Sequence, residues 1–298
     1  LAVRLNASQV GCSHQCFFTS NRRLLNVSDA VVFHIRNVDY RDLPELRSPK
    51  QYFVFFLRES PVHTGNGYSF IVKNNSIPND YFNLTMTYRL DSDVSAAYGK
   101  LEKIPENSNP VSEQNYIQIL YLNLFFTSVE SGSLTAVYML QLSDDMRKRS
   151  KTALQFVSHC KTDSDREEYI EQLKHYVNVT QIGKCGIRNC SKECEEKAIN
   201  DHKFYLSFEN SICRDYVTEK MYKRLGKFLP VVLKRSIYQG IIPNDAFIAA
   251  DDFISPKYLA DYLNYLHRDH SAFMKFGFRP VFETSFFEAG ADLLHSER

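Results

Sequence analysis

Short, nearly unbroken apolar runs that stop at polar loops limit how this 298-residue chain can fold more than any other feature. "AVVFHI" (Ala30 to Ile35) and "YFVFF" (Tyr52 to Phe56) show almost no apolar–polar alternation. Runs of this kind suit parallel strands buried on both faces. "FNLTMTYRL" (Phe82 to Leu90) is a further strand candidate of mixed polarity. The style repeats later. "ALQFVSHC" (Ala153 to Cys160), "KFYLSF" (Lys203 to Phe208), "PVVL" (Pro230 to Leu233) and "AFIAADDF" (Ala246 to Phe253) read as strands. Between and after them lie two helices, "SDREEYIEQLKHY" with Tyr169, Ile170, Leu173 and Tyr176 on one face, and "SPKYLADYLNYLHRD" with Ser255 as N-cap and Pro256 at its first position. Strands alternating with helices predict an α/β, doubly wound architecture. Two such sets predict two domains, 1–145 and 146–298, joined through the polar run Ser143 to Lys151.

One segment does not fit. "IQILYLNLFFTSVESGSLTAVYMLQL" (Ile117 to Leu142) carries a single charge, Glu130, and raises the question of a membrane span. A span needs about 20 mostly apolar residues. Gln118, Asn123 and the run Thr127 to Ser133 interrupt this one, so two buried strands or an insertion is the expectation.

Charge excludes one class of partner. Lys+Arg 36 against Asp+Glu 35 leave a net charge of +1, without the basic field that nucleic-acid binding needs. The cluster "DMRKRSK" (Asp145 to Lys151) is expected to be a solvated loop. Six Asn-X-Ser/Thr sequons, at Asn6, Asn26, Asn74, Asn83, Asn178 and Asn189, accompany seven cysteines. Together they point to the secretory lumen, where disulfides persist. A zinc site at "CGIRNCSKEC" (Cys185, Cys190, Cys194) is the rival, but its spacings fit the usual CxxC pairs poorly. Cys160 has three candidate partners in those cysteines, and an odd total leaves at least one thiol over. The chain opens "LAVRLNASQV", without a basic n-region or an apolar h-region, so a signal or anchor is expected in a longer precursor.

The stretch "KFYLSFENSICRDYVTEKMYKRL" (Lys203 to Leu225) carries the chemistry. After the strand comes a crossover loop, Glu209 to Tyr216, and then a helix start with Thr218 as N-cap. That places Lys220 in the first helical turn, against the macrodipole, at a cost of about 0.3–1 kcal/mol. The cost vanishes if an anion sits there, and backbone N–H groups beside an ammonium suit a diphosphate. Alternatively the side chain bends into solvent. Arg166 opens the helix after "ALQFVSHC" in the same layout; its alternative is a surface pair with Asp163. Both sit where open α/β sheets bind ligands, past the carboxyl ends of strands.

"FYLSFENSICRDYVTEKMYKRL" resembles the donor-binding signature of the α1,3-fucosyltransferases, the tenth glycosyltransferase family. Three other blocks agree in order: "DAVVFHIRN" (Asp29 to Asn37) with the family's first strand, "RESPVHTG...YFNLTMTYRLDSDVSAAYG" (Arg58 to Gly99) with its acceptor-side signature, and "IPNDAFIAADDFISPKYLADYL" (Ile242 to Leu263) with its C-terminal block. The resemblance implies a GT-B enzyme, with two Rossmann-like domains facing across a cleft, an acceptor-side domain first and a GDP-fucose-binding domain second. It implies inverting transfer of L-fucose from GDP-β-L-fucose to the 3-hydroxyl of N-acetylglucosamine in a glycan. Glu59, in "RESP", matches the family's proposed base. Arg166 and Lys220 match the cations that hold the diphosphate, and Glu219, Tyr216, Asn210 and Ser211 match positions lining the donor pocket. It further implies a Golgi-lumen enzyme with a type II anchor outside this chain.

"DSD" (Asp91, Ser92, Asp93) is a DxD triplet, which in many sugar transferases holds a metal. Here it falls in the acceptor-side block, and the resemblance implies no required cofactor or metal, with manganese at most a stimulant. The chain departs from the family's pattern at Leu90, His202 and Lys234, and in the run 117–142. The family's cysteine-bearing C-terminal end is absent, which leaves Cys12 and Cys16 without their family partners unless they pair together. Two rival functions remain: a catalytically inactive GDP- or glycan-binding relative, and a GT-B transferase for another sugar nucleotide.

Overall fold

The structure, a computed structural model, describes residues 2–5, 16–45, 47–74, 77–103, 144–275 and 282–286. They fall into two compact units: Leu1–Thr87 with Asp91–Ser95, and Tyr88–Leu90 with Ala96–Arg298. The apolar run 117–142 lies outside the described residues. Among those residues, no helix is long and apolar enough to cross a membrane.

In the first unit, β1 (Ala2–Leu5) pairs antiparallel with β2 (Cys16–Thr19). Then follow β3 (Ala30–His34), β4 (Tyr52–Leu57), helix α1 (Asn66–Lys73), β5 (Leu84–Thr87) and β6 (Val94–Ser95). The sheet runs β3-β4-β5-β6, every pair parallel. Phe53, Val54 and Leu57 of the central β4 are buried, as its unbroken apolar sequence predicts. Phe33, Phe53, Tyr81 and Phe82 pack edge to face on one side, the Phe33–Phe53 centroids 5.0 Å apart. β5 is shorter than the strand expected over 82–90. The Asp93 carboxylate accepts from the N–H (2.8 Å) and hydroxyl (2.7 Å) of Thr85, folding the DSD triplet back so that β6 can pair with β5. In the first unit the triplet therefore acts in part as a turn clasp.

In the second unit, β7 (Gly99–Lys103) pairs antiparallel with β13 (Phe282–Phe286). Between them run β8 (Lys151–Phe156), α2 (Arg166–Lys174), β9 (Val179–Ile182), α3 (Lys192–Asp201), β10 (His202–Leu206), α4 (Glu219–Tyr222), β11 (Leu229–Val232), α5 (Arg235–Tyr238), β12 (Ile248–Ala249), α6 (Pro256–Arg268) and α7 (His270–Lys275). The sheet order is β9-β8-β10-β11-β12, all parallel. All five residues of β10, the middle strand, are buried. One face of the sheet packs on Leu259, Ala260, Leu263 and Leu266 of α6 together with Ile170 and Leu173 of α2.

Several local expectations shift. The run 143–151 is helical over 144–148, and Met146 is fully buried in the core. The expected strand 246–253 keeps only Ile248 and Ala249, because Asp251 and Asp252 turn back onto Arg235. The Arg235 N–H donates to Asp251 (2.9 Å) and its Nε to Asp252 (2.9 Å). α6 starts at Pro256 as predicted, but the Ser255 side chain makes no capping hydrogen bond. Two disulfides form, Cys160–Cys185 and Cys190–Cys194, which consume all three cysteines of the zinc alternative. Cys16 and Cys213 are free thiols, and Cys12 lies outside the described residues.

Candidate functional site

A 2-1-3-4-5 strand order places a topological switch point between the first and third strands. In the second unit these are β8 and β10. Chains leaving two such strands part in opposite directions and open a crevice beyond their carboxyl ends. The loops that leave β8 and β10 and the first turns of the helices they lead into hold Arg166, Asn210, Ser211, Tyr216, Glu219 and Lys220, the full set expected to bind a donor.

Backbone geometry at both loops is unusual in the same way. Asp165 (φ +51°) and Asp215 (φ +63°) are the non-glycine residues with left-handed backbone among those described. Each stands immediately before a site residue, Arg166 and Tyr216. Such conformations cost energy and cluster at functional sites; aspartate tolerates them better than most residues.

Arg166 is 3 % exposed and works from inside. Its Nη1 donates to the Phe208 carbonyl (2.6 Å), its Nη2 to the His159 carbonyl (3.1 Å) and its Nε to Glu167 (3.1 Å). The guanidinium thus ties the end of β8 to the end of β10. Its carboxylate partner is Glu167, not the Asp163 of the sequence alternative. Glu167 in turn accepts from the Thr162 hydroxyl (2.9 Å), and Ser164 Oγ donates to the Glu209 carbonyl (2.7 Å).

Lys220, in the single turn of α4, reaches back to three preceding residues. Its Nζ lies 3.2 Å from Glu209 Oε2, 3.1 Å from Glu219 Oε1 and 3.0 Å from Thr218 Oγ1. This corrects the expectation that an anion missing from the chain is what offsets the lysine, since two carboxylates of the chain already do so. α4 is a single turn, so its dipole is a small part of the balance. Burial works against the ammonium, but Glu209 and Glu219 outweigh it and hold Lys220 above the usual lysine range. Glu219 titrates below the usual range: burial opposes this, and the Lys220 ammonium prevails.

Glu209 is the residue that sequence reasoning passed over. It stands three residues beyond the end of β10, directly after the apolar run Lys203 to Phe208, and is 2 % exposed. Its carboxylate accepts from the Thr218 N–H (2.8 Å) and hydroxyl (2.8 Å) besides facing Lys220. Burial pushes its pKa up, and Lys220 pulls it back. A glutamate one residue beyond an apolar run, with a threonine and a lysine nine and eleven positions later, was the available signal. Thr218 caps α4 as predicted, its hydroxyl accepting from the Lys220 N–H.

The remaining candidates line the same edge. Ser211 and Tyr216 are buried, and the Asn210 Oδ1 is buried with no hydrogen-bond partner. The Tyr216 ring meets that of Tyr88 edge to face at 4.9 Å. A pocket beyond β10 and β11 is lined by Glu209, Ser211, Lys234 and Tyr238, with Ile212, Leu233 and Ile237. Beside it, two carboxylates (Glu209 and Glu219), the Lys220 ammonium and the Thr218 hydroxyl form one network of ion pairs and hydrogen bonds.

Glu59 belongs to the first unit. It follows β4 in the turn "RESP", half-buried, with its Oε1 2.9 Å from Arg36 Nη1. The opposing segment is brought close by Gly65 (φ +89°), where a Cβ would lie 2.4 Å from the Arg36 carbonyl oxygen. Only glycine fits both that conformation and that approach. The result is a carboxylate held at the carboxyl edge of a parallel sheet by a neighbouring guanidinium.

An open α/β sheet with charged residues at its switch point defines the class of doubly wound α/β proteins that bind ligands past the carboxyl ends of their strands. Comparison with known proteins gives the family. A model for glycosyltransferase family 10 (fucosyltransferase), C-terminal part, matches residues 146–287, and one for the fucosyltransferase N-terminal part matches residues 2–99. The chain belongs to glycosyltransferase family 10, the fucosyltransferases. It is 33 % identical to alpha-(1,3)-fucosyltransferase fut-1 of Caenorhabditis elegans over 89 % of this chain and 54 % of that protein. It is 32 % identical to 4-galactosyl-N-acetylglucosaminide 3-alpha-L-fucosyltransferase FUT6 of Pan troglodytes over 91 % of this chain and 67 % of that protein. The chain thus spans between about half and two thirds of these relatives. A crystal structure of an α1,3-fucosyltransferase with GDP-fucose matches at 16 % identity and a TM-score of 0.47, over 88 % of this chain and 73 % of its own. The run 117–142 falls between the two segments that the family models match.

Proposed function

We propose that this chain is the catalytic part of an α1,3-fucosyltransferase that takes L-fucose from GDP-β-L-fucose and places it, with inversion, on the 3-hydroxyl of N-acetylglucosamine in a glycan. The observation that carries the reading is the switch point between β8 and β10, flanked by Arg166 from one loop and Lys220 from the other. The fucosyltransferase names of its relatives supply the sugar and the linkage.

In this reading the diphosphate of the donor meets Lys220 and exchanges with Glu219, the more exposed of the two carboxylates. Glu219, once released, faces donor hydroxyls together with Asn210 and Ser211, while the buried Tyr216 shapes the pocket wall. Arg166 keeps the two loops in register and presents its positive charge to the same edge. As the C–O bond to the sugar breaks, the diphosphate gains charge, and preorganised cations stabilise it without reorganisation. The acceptor hydroxyl loses its proton to the Glu59 carboxylate as it attacks the anomeric carbon. Arg36 orients that carboxylate. Two cations on the donor make a metal ion unnecessary, with manganese at most a stimulant. Disulfides and sequons fit a secretory compartment, proposed to be the Golgi lumen, with the chain tethered by a type II anchor in its precursor.

Secreted protein incubated with GDP-fucose and a glycan array tests the reading. Fucose should appear on glycans that present the 3-hydroxyl of N-acetylglucosamine, with GDP-fucose outcompeting GDP-mannose and UDP sugars. Preference for another donor overturns the assignment. GDP binding without transfer to any glycan supports the inactive relative instead.

A further inference from the structure

We propose that Asn178 carries an N-linked glycan that covers the open half of an exposed sheet edge. β9 is an end strand of the five-stranded sheet. The carbonyls of Asn178 and Ile182 face inward, accepting from the N–H groups of Ala153 (3.2 Å) and Val157 (2.8 Å). In a parallel ladder the alternate residues, Val179 and Gln181, therefore turn their backbone groups outward. The chain folds back over part of that edge: the Ile187 N–H donates to the Gln181 carbonyl (2.9 Å), and the Gly183 N–H to the Ile187 carbonyl (3.0 Å). Cys160–Cys185 pins this loop. The carboxyl half of β9 is thereby covered, and among the described residues no backbone hydrogen bond covers the amino half around Val179.

An open edge is a template for pairing with another chain, and proteins blunt it with lysine, proline or a cover. The strand, "VTQI", has neither lysine nor proline. Beside its open half stands Asn178, exposed, at the head of the sequon Asn178-Val179-Thr180. A glycan there supplies the missing cover. Its attachment is a substitution on a lipid-diphosphate-linked oligosaccharide of the secretory membrane. Asn178 Nδ2 forms a bond to the first sugar's anomeric carbon, the C–O bond to the diphosphate breaks, the lipid diphosphate leaves with the electron pair, and Nδ2 gives up a proton. The sequon hydroxyl, Thr180 Oγ1, lies 2.8 Å from His202 Nε2 in the folded chain, so attachment precedes closure of β9. The proposal is independent of the transferase reading.

The chain is secreted from a eukaryotic host and deglycosylated enzymatically in heavy-oxygen water, and Asn178 and Asn189 peptides are read by mass spectrometry. Asn189, exposed in the connection to α3, is the internal comparison. Heavy-oxygen aspartate is expected at position 178. Asn178→Gln should lose one glycan and shift toward larger species in light scattering at matched concentration, whereas Asn189→Gln should keep the wild-type association state. An unmodified Asn178 in the secreted wild type overturns the proposal, as does an Asn178→Gln variant that associates no more than Asn189→Gln.

Discussion

Glu59, Lys220 and Glu209 are three charged residues with separable consequences. Glu59→Gln keeps the shape and hydrogen-bonding reach of the side chain but removes its basicity. Fucose transfer should fall by at least two orders of magnitude, the usual share of a general base, while GDP affinity measured by calorimetry stays at the wild-type value. Equal loss of both would remove Glu59 from the role of base. Lys220→Met should weaken GDP by about 1.5–3 kcal/mol, the range for hydrogen bonds to charged groups. It should also destabilise the fold by about 3 kcal/mol, because Glu209 is left buried without its counter-ion. That stability loss should shrink as pH falls and Glu209 takes up a proton, and adding Glu209→Gln should restore part of it in urea unfolding. Of these residues the sequence made Lys220 visible through its place in a first turn and Glu59 through motif resemblance alone. Glu209 stayed hidden because a glutamate in a polar loop looks solvated; only the fold reveals that the loop turns inward.

Elements explain which strands were legible. β4, β8, β10 and β11 are apolar runs that the sheets largely bury, so their periodicity states their environment. β3 is as apolar but ends its sheet, and Val32 is exposed, which corrects the expectation of burial on both faces there. β12 and the end of β5 were misjudged in length, because Asp251, Asp252 and Asp93 bend the chain through side-chain bonds that periodicity does not encode. The pairing of Cys160 with Cys185 was likewise open, since three partners lay at similar separations. Removing it by a Cys160→Ala/Cys185→Ala pair should cost about 3 kcal/mol for a loop of this length and lower the thermal midpoint; an unchanged midpoint would show that the loop is held without it. His202 clamps α3 to the sheet, 2.7 Å from the Ala198 carbonyl and 2.8 Å from Thr180 Oγ1. Burial lowers its pKa below the ordinary histidine value, as it does for His267 and His270. A group harder to protonate when folded favours folding above its unfolded pKa of about 6.5, and that contribution declines as pH drops toward the folded value. Stability should therefore fall between pH 7.5 and 5.5, by at most about 1.4 kcal/mol per pH unit for each histidine. His202→Gln should flatten that slope; an unchanged slope would relieve His202 of the effect.

At the scale of the whole molecule, two α/β units, each with a parallel sheet, carry charged residues past the carboxyl ends of their strands, Glu59 in the first and Lys220 in the second. The proposed function assigns the base to one and the donor cradle to the other. The class of fold could be read from alternating elements, and the candidate donor loops from their position after strands. The strand order that makes the β8–β10 crevice could not be read, because pairing between parallel strands depends on long-range packing. Calorimetric titration of the wild-type protein with GDP and, in parallel, with guanosine tests the central claim, that this crevice grips a diphosphate. GDP should bind at least tenfold more tightly, and the advantage should shrink markedly in Lys220→Met. Equal affinities for GDP and guanosine, or an advantage that survives the loss of Lys220 intact, would contradict the account.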